Sequence, residues 1–228
     1  MNQNHVSGVS AASAAPPEIK PSAVYGAVKR ALDLVFSVLA LIAAAIPMLI
    51  IVLVIRLDSK GSAIFTQTRI GRNGREFPCF KFRTMRADAP PSTAKKELEN
   101  ADEFITRSGK ALRNTSLDEL PQLFNILRGE MSFIGPRPLI PEETKVHALR
   151  ERCGVYQLRP GISGYAQVHG RDMISDEEKA ALDRYYLEHF SLWTDVKILF
   201  GTVLKVIKEE DIHQGAVETE SAEEIKKQ

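Results

Sequence analysis

Two neighbouring carboxylates, Asp118 and Glu119, lie in the segment SLDELPQLFN, directly ahead of an apolar, helix-like run. One explanation is structural: Ser116 followed three residues later by Glu119 matches a capping box, and acids in a first turn complement the helix dipole. The other explanation is chemical, because a carboxylate can act as a nucleophile and can hold a hard cation. On these residues alone the structural explanation is favoured.

The rest of the chain offers carboxylates and arginines rather than other catalytic groups. It contains no G-x-x-x-x-G-K-[ST] phosphate loop, no G-x-G-x-x-G, no H-E-x-x-H and no G-x-S-x-G. The five histidines lack metal-ligand spacing, and Cys79 and Cys153 suggest neither a zinc site nor a disulfide framework. Acids and guanidinium groups suit phosphoryl transfer, in which cations neutralise phosphate oxygens while a nucleophile attacks in line.

The distribution of charge agrees with anionic ligands. The formal net charge is +1, but residues 69–86 carry six basic residues against one acidic residue, whereas residues 209–228 carry seven acidic against two basic. A basic region of this kind suits phosphate ligands or an anionic membrane surface. It lacks a recognition-helix pattern, so nucleic acid is not an expected partner.

A long apolar run near the start of the chain predicts contact with a membrane. Leu34–Ile55 is uncharged over 22 residues and would reach roughly 33 Å as a helix, enough to cross a bilayer. Pro47 lies inside the run and should kink the axis, which favours entry and return on the same side over a true span. Basic residues on both flanks draw both ends towards the cytoplasm: Lys29, Arg30, Arg56 and Lys60.

Several further elements follow from local patterns. Asn73 and Gly74 predict the turn of a hairpin whose second strand places Lys81 and Arg83 on one face. A basic helix or turn is predicted over 105–113 and a helix over 176–190. The amphipathic segment 192–207 could pack on the core or lie in the bilayer interface, and its pattern leaves both open. Loops rich in Gly, Pro and Arg connect these elements, and such loops often carry binding groups.

Six motifs occur in a fixed order between about Val28 and Ile207: VKRALDL, IFTQTRIGRNG, FKFRTM, SLDELPQLFN, GEMSFIGPRP and RPGISGYAQVHGR. On these motifs the chain resembles the small monotopic phosphoglycosyl transferases, or bacterial sugar transferases. The resemblance implies transfer of a phospho-sugar from a UDP-sugar to undecaprenyl (polyprenyl) phosphate, with release of UMP and a requirement for Mg²⁺. It also implies the bacterial inner membrane, with membrane lipid as a partner and the catalytic domain on the cytoplasmic face.

The same resemblance implies a mixed α+β, mainly helical fold. A disordered leader would occupy residues 1–24, a re-entrant membrane helix 25–60 with Pro47 as its break, a catalytic domain 61–208 and an acidic disordered tail 209–228. The catalytic domain would contain a small β-hairpin, catalytic helices and amphipathic interfacial helices.

Site residues are carried over by their positions in these motifs. Asp118 would be the nucleophile, forming a covalent aspartyl phospho-sugar, and Glu119 its partner, with both as Mg²⁺ ligands. Arg137, fixed between Pro136 and Pro138, would recognise the nucleotide. The supporting positions are Arg159 as a phosphate clamp oriented by Asp183, then Arg113, Lys81, Arg83 and Gln122. For Arg113, Lys81 and Arg83, a surface charge or a structural ion pair explains the residue at least as well as direct contact with the substrate.

Two other functions stay open on the sequence. A membrane-associated glycosyltransferase would transfer the sugar itself and release UDP, and a non-catalytic membrane adaptor would use the basic region to bind a partner. The sugar is not identified, although GYAQVHGR favours an N-acetylated hexosamine weakly over glucose or galactose. The resemblance suits the first membrane step of exopolysaccharide, O-antigen, capsule or glycoprotein glycan assembly without selecting one of them.

Overall fold

The computed structural model describes residue 19 and residues 22–89, 101–170 and 174–205. This part of the chain is mainly helical, which confirms the predicted mixed α+β class. The predicted tail and most of the predicted leader lie outside the described residues. The elements are α1 (Ala23–Asp58), β1 (Ile64–Ile70), β2 (Glu76–Phe82), α2 (Arg107–Asn114), α3 (Gln122–Arg128), β3 (Ser132–Ile134), α4 (Thr144–Arg152), β4 (Gly161–Ser163), α5 (Tyr165–His169), α6 (Asp176–Glu188) and α7 (192–205).

Helix α1 carries the long apolar run, and among the described residues it alone is long and apolar enough to cross a membrane. Its 36 residues begin after Ser22, whose Oγ accepts a hydrogen bond from the Tyr25 N–H. The helix is continuous through Pro47, and the kink expected at this residue stays a prediction. One lost hydrogen bond does not interrupt a run of strong helix formers that packs on the domain along both halves. Its outer face exposes large apolar side chains, including Phe36, Leu39, Ile42, Ile46, Leu49, Leu53 and Leu57.

The first turns of α1 are fixed to the domain by the charged residues of VKRALDL. Lys29 Nζ lies 2.7 Å from Asp195 Oδ2 in α7. Arg30 donates to the carbonyls of Ile126 (2.7 Å) and Leu127 (3.1 Å) in the last turn of α3. These residues therefore act as a polar docking site for an otherwise apolar helix.

The last turn of α1 is fixed to the same domain. Asp58 Oδ2 accepts hydrogen bonds from Ser108 N–H (3.0 Å) and Ser108 Oγ (2.6 Å) at the start of α2. Arg83 donates to the carbonyls of Ser59 (2.7 Å) and Lys60 (2.6 Å) just beyond the helix. Both ends of α1 therefore contact one domain, rather than the helix leaving it as a free stalk.

Asp33 provides a test of this docking. Its buried carboxylate accepts hydrogen bonds from Ser132 Oγ (3.1 Å) and the Phe133 N–H (3.2 Å), which begin β3. We expect Asp33→Ala to cost about 1–3 kcal/mol because both donors lose their partner. Asp33→Asn, which keeps an acceptor oxygen, should cost less. Thermal unfolding in detergent or nanodiscs measures the difference, and equal melting temperatures for the two variants would contradict this role.

The predicted hairpin is confirmed. Strands β1 and β2 pair antiparallel from Ile64 opposite Phe82 to Ile70 opposite Glu76. The turn between them contains Asn73 (φ 59°) and Gly74 (φ 70°), two residue types that tolerate left-handed backbone. Along β2, the face that buries Phe77 and Cys79 against α3 also carries Lys81 towards the segment that precedes α3.

A second, parallel pair of strands, β3 and β4, positions the GPRP segment. Ser132 pairs with Gly161, and Ile134 pairs with Ser163. The two backbones approach so closely after β3 that a Cβ on Gly135 would lie 2.2 Å from the Arg159 carbonyl oxygen. Only glycine fits this approach without displacing the backbone of the other segment.

Helix α7 packs one face on the domain and leaves the opposite face exposed. Ile198 and Asp195 are buried against the domain, and the Tyr25 and Phe190 rings, 5.1 Å apart, pack beside this contact. The opposite face exposes a stripe of apolar residues: Trp193 (66% exposed), Val196, Leu199, Phe200 and Val203. Asp195 links this helix to Tyr25 and Lys29 at the start of α1, so the two helices that expose apolar faces are joined at this point.

Candidate active site

The segment SLDELPQLFN does not form the expected capped helix. Ser116 adopts a left-handed backbone (φ 55°) and its side chain makes no capping hydrogen bond. Leu117–Glu119 then forms one turn of 3₁₀ helix, in which the Leu120 N–H donates to the Leu117 carbonyl (3.3 Å). The capping box predicted from Ser116 and Glu119 is therefore wrong. Helix α3 begins only after Pro121, a residue suited to a first turn because it has no N–H to satisfy.

This 3₁₀ turn presents both acids to basic side chains from two other segments. Lys81 Nζ from β2 lies 2.5 Å from Glu119 Oε1 and 3.9 Å from Asp118 Oδ2. Arg137 Nη1, from the GPRP segment, lies 3.8 Å from the same Glu119 oxygen. The acids are 14% and 18% exposed, whereas Arg137 is 48% exposed and open to a ligand. The structure thus brings together Lys81, Asp118, Glu119 and Arg137, which were predicted separately.

The two carboxylates differ in electrostatic environment. Burial raises the pKa of Asp118, and the negative charge of Glu119 adds to this effect, while Lys81 and Arg113 only partly oppose it. Burial also acts to raise the pKa of Glu119, but Lys81, Arg137 and a hydrogen bond from Gln122 together hold it below its ordinary value. Neighbouring acids whose pKa values are pushed in opposite directions are typical of pairs with different chemical roles.

These opposite shifts predict opposite effects on stability. Folding raises the pKa of Asp118, so above that pKa its charge destabilises the folded protein, and the reverse holds for Glu119. At neutral pH we expect Asp118→Asn to raise the melting temperature and Glu119→Gln to lower it, by about 2–4 °C for each kcal/mol in a chain of this size. Thermal unfolding measured from neutral to acidic pH should show the Asp118→Asn gain shrinking as Asp118 becomes protonated. Shifts of the same sign for both variants would contradict these environments.

The GPRP segment is held in place through its backbone. Five successive carbonyl oxygens, from residues 136 to 140, each accept a hydrogen bond from another part of the chain. Such a loop is rigid although it lacks regular secondary structure, and the Arg137 side chain projects from it towards Glu119. The donors, in order, are Gly161 N–H (3.0 Å), Arg150 Nη1 (2.8 Å), Arg69 Nη1 (3.1 Å), Ile70 N–H (2.9 Å) and His147 Nε2 (2.8 Å).

Two of these donors, Arg69 and Arg150, were missed by sequence reasoning. Arg69 is half-buried beside the site, and this burial, followed by the nearby charge of Arg137, lowers its pKa. Arg150 is 2% exposed and forms a buried ion pair with Asp183 (2.6 Å). Alternation along β1 could have directed Arg69 to this side of the hairpin, whereas nothing local in the sequence of α4 distinguishes Arg150 from its basic neighbours.

Two predicted supporting roles are corrected. Asp183 does not orient Arg159, because its carboxylate is bound by Arg150, while Arg159 Nε donates to the Gly129 carbonyl (2.9 Å). Arg83 directs its guanidinium nitrogens to the end of α1, since β2 ends at Phe82 and the alternation that placed Arg83 beside Lys81 ends with it. Its Nη groups are therefore bound to protein carbonyls rather than turned towards the acids.

The other supporting residues lie where they could affect the acids. Gln122 is buried at the start of α3 and hydrogen-bonds Glu119. Arg113 Nε donates to Thr84 Oγ1 (2.8 Å), and its charge acts on Asp118. Gln122 therefore helps to fix Glu119 in the 3₁₀ turn, and Arg113 favours the ionised form of Asp118.

The side chains of this site suit a magnesium ion for which the protein supplies only some of the ligands. Within the described residues there is no cluster of three or more acidic, histidine or cysteine side chains that could enclose a metal. Mg²⁺ is commonly held by one or two carboxylates together with substrate phosphates and waters, and Asp118 and Glu119 supply such a pair. Lys81 Nζ already contacts Glu119, so an ion here would share the acids with this ammonium group.

Comparison with known proteins gives a family-level match. A model of the family described as bacterial sugar transferase matches residues 24–209, which include α1, the acids and the GPRP segment.

Three similar proteins illustrate the range of relatives. An undecaprenyl-phosphate glucose phosphotransferase of Komagataeibacter xylinus is 40% identical, covering 78% of this chain and 36% of the relative. A UDP-N-acetylgalactosamine-undecaprenyl-phosphate N-acetylgalactosaminephosphotransferase of Aeromonas hydrophila is 38% identical, covering 82% and 45%. An uncharacterized sugar transferase of Bacillus subtilis (strain 168) is 37% identical, covering 82% and 90%. The chain thus spans less than half of the first two relatives and most of the third.

Proposed function

The chain belongs to the bacterial sugar transferase family, and from that membership we propose that it transfers a phospho-sugar from a UDP-sugar to undecaprenyl phosphate and releases UMP. The observation that carries this proposal is the pair Asp118 and Glu119, held between Lys81 and the exposed Arg137. Names of two relatives refer to undecaprenyl phosphate and a sugar phosphotransferase activity, which supports the same reaction class.

We propose that the reaction proceeds in two displacements at one phosphorus. In the first, an Asp118 carboxylate oxygen attacks the β-phosphorus of the UDP-sugar, the bond to the bridging oxygen breaks, and UMP leaves with the electron pair. Asp118 then carries the phospho-sugar as an acyl phosphate. In the second, a phosphate oxygen of undecaprenyl phosphate attacks the same phosphorus and the Asp118 carboxylate leaves. A soluble donor and a lipid acceptor therefore need not occupy the site together.

The surrounding residues suit this chemistry. Lys81 favours the ionised form of both acids, and Asp118 must be ionised to attack. Arg137 is positioned to bind the diphosphate or nucleotide through its planar guanidinium group. Asp118 and Glu119 would hold Mg²⁺, which when bound supplies neutralising charge for the phosphate oxygens.

For the membrane, we propose a monotopic arrangement with the catalytic domain on the cytoplasmic face of the inner membrane. The contacts at both ends of α1 support it, because a helix that spans the bilayer would place its two ends, and the domain residues bound to them, on opposite sides. The exposed apolar faces of α1 and α7 would then contact lipid together.

This topology predicts that both ends of α1 are labelled from the cytoplasmic side. Val24→Cys and Lys60→Cys place thiols at exposed positions beside the two ends, and a Cys153→Ser background removes the more accessible native cysteine. An impermeant maleimide applied to inverted vesicles should label both positions, and applied to intact spheroplasts should label neither. Labelling of the two positions from opposite sides would show a true span.

The identity of the products distinguishes the proposal from the other functions. Purified protein should be incubated with undecaprenyl phosphate, Mg²⁺ and a panel of UDP-glucose, UDP-galactose, UDP-N-acetylglucosamine and UDP-N-acetylgalactosamine. Release of UMP supports phospho-sugar transfer, release of UDP would indicate a glycosyltransferase, and no release across a broad panel would favour an adaptor. Relatives named for glucose and for N-acetylgalactosamine leave the sugar open, with the N-acetylated hexosamines expected first from GYAQVHGR.

A further inference from the structure

We infer that the buried pair Arg150–Asp183 is a positioning device for Arg137 and thereby sets the affinity of the site for the uridine nucleotide. The inference rests on the proposed function, in which Arg137 contacts the nucleotide. Neither Arg150 nor Asp183 contacts the acids or Lys81 among the described hydrogen bonds and ion pairs. Any effect of the pair on the reaction must therefore pass through another residue.

The guanidinium group of Arg150 links Asp183 to the backbone of Arg137. Its Nε (2.9 Å) and Nη2 (2.6 Å) both donate to Asp183 Oδ2, and its Nη1 donates to the Arg137 carbonyl oxygen (2.8 Å). Because guanidinium is planar, the two bonds to α6 fix the direction of the third. The backbone position of Arg137 is thus set by an ion pair between two helices behind the loop, α4 and α6.

Both members of the Arg150–Asp183 ion pair are buried, which restricts the pair to one geometry. Arg150 is 2% exposed and Asp183 is 1% exposed, so each charge depends on the other, and removing one partner leaves an uncompensated charge in the interior. An ion pair of this kind contributes little net stability compared with apolar residues of similar size, whereas it defines one geometry. A role in positioning explains why two charges are buried behind a loop that carries a ligand-facing arginine.

The flanking prolines explain why one carbonyl has this influence. Pro136 and Pro138 fix their own φ angles, so the backbone freedom left at Arg137 lies in its own φ and ψ, and ψ sets the direction of the carbonyl oxygen in the peptide that follows it. Arg150 holds the oxygen of that peptide. Releasing it would let the Arg137 side chain change its position relative to Glu119, and displacements of about 1 Å at such sites can cost up to about 100-fold.

Arg150→Lys tests the inference, since lysine keeps the charge opposite Asp183 but cannot bind Asp183 and the Arg137 carbonyl as a fork. We expect Kd for UMP and KM for the UDP-sugar to rise about 10-fold, with kcat and KM for undecaprenyl phosphate close to wild type. The double variant Arg150→Met/Asp183→Leu removes both buried charges together and should show the same rise if Arg150→Lys fails to fold. Arg184→Met, which removes an exposed ion pair from α6, is the matched control and should leave Kd unchanged.

A double-mutant comparison with Arg137 distinguishes a positioning role of Arg150 from general structural damage, because only in a positioning role do the effects of the two substitutions on Kd fail to add. In an Arg137→Ala background, Arg150→Lys should cause no further rise in Kd for UMP, since the residue through which it acts is gone. The inference is overturned if folded Arg150→Lys binds UMP as wild type does, if its penalty is the same in both backgrounds, or if the wild type binds no UMP. Nucleotide binding that depends on both arginines, without UMP release from any UDP-sugar, would overturn the proposed function and leave this inference standing.

Discussion

Asp118→Asn is expected to abolish transfer, lowering kcat by on the order of 10⁴-fold or more, as the loss of a nucleophile does in other enzymes. The amide matches the carboxylate in size but cannot form an acyl phosphate. Because burial disfavours the Asp118 charge, the variant should stay folded, and the loss cannot be attributed to unfolding. UMP release with undecaprenyl phosphate and the preferred UDP-sugar measures the effect.

Glu119→Gln is the matched control for this prediction. It alters the adjacent carboxylate, which is also bound by Lys81, but leaves the proposed nucleophile intact. It should retain measurable turnover well above that of Asp118→Asn. If Asp118→Asn kept wild-type turnover, or if Glu119→Gln were the more damaging change, Asp118 would not be the nucleophile.

Lys81→Met is expected to cause the second largest loss, about 100-fold in kcat/KM, a size seen when a single group that stabilises developing charge is removed. Lys81 is the basic group nearest to both acids, and it lowers the pKa of each. Without it, the pKa of Asp118 rises further above its ordinary value. The acidic limb of the kcat/KM profile, which reports ionisation of the free enzyme, should therefore move to higher pH.

Lys81→Arg distinguishes the effect of the positive charge at this position from the effect of the exact placement of the ammonium group. It keeps a positive charge beside the acids, so the acidic limb should stay near its wild-type position even if the rate falls. If Lys81→Met lost activity without any shift of the acidic limb, then Lys81 would not control ionisation of Asp118. Its contact with Glu119 would then serve only to hold the 3₁₀ turn.

Elements defined by local chemistry could be predicted from the sequence, and the hairpin is the clearest case. The Asn73–Gly74 turn needs two residues that accept left-handed backbone, and that requirement is visible in the residue types themselves. Helix α6 is similar, since apolar spacing and an S-x-x-E start are local features. The long apolar helix α1 follows from composition alone.

The same local pattern fails at the active site. Ser175 and Glu178 form a true capping box at the start of α6, whereas Ser116 and Glu119, with identical spacing, do not. The difference is tertiary: the Glu119 carboxylate is bound by Lys81 from β2. A capping box would require Glu119 to turn back on its own helix, so the ion pair with a distant strand excludes it. The local capping pattern therefore fails at the candidate active site, where a tertiary ion pair replaces it.

Long-range pairs set the limit of prediction from the sequence. Asp183 was matched with Arg159, but its partner is Arg150, and either arginine would satisfy a buried acid on charge alone. The choice depends on how α4 packs on α6, which no local pattern encodes.

The most direct test of the central claim is intact mass of the purified protein with its preferred UDP-sugar and Mg²⁺, but without undecaprenyl phosphate. We expect one added phospho-sugar per chain, mapped to Asp118, with release of one equivalent of UMP and discharge of the adduct when the lipid is added. Asp118→Asn should gain no mass. An unmodified protein under conditions in which it turns over rapidly once lipid is supplied would contradict a covalent intermediate on Asp118.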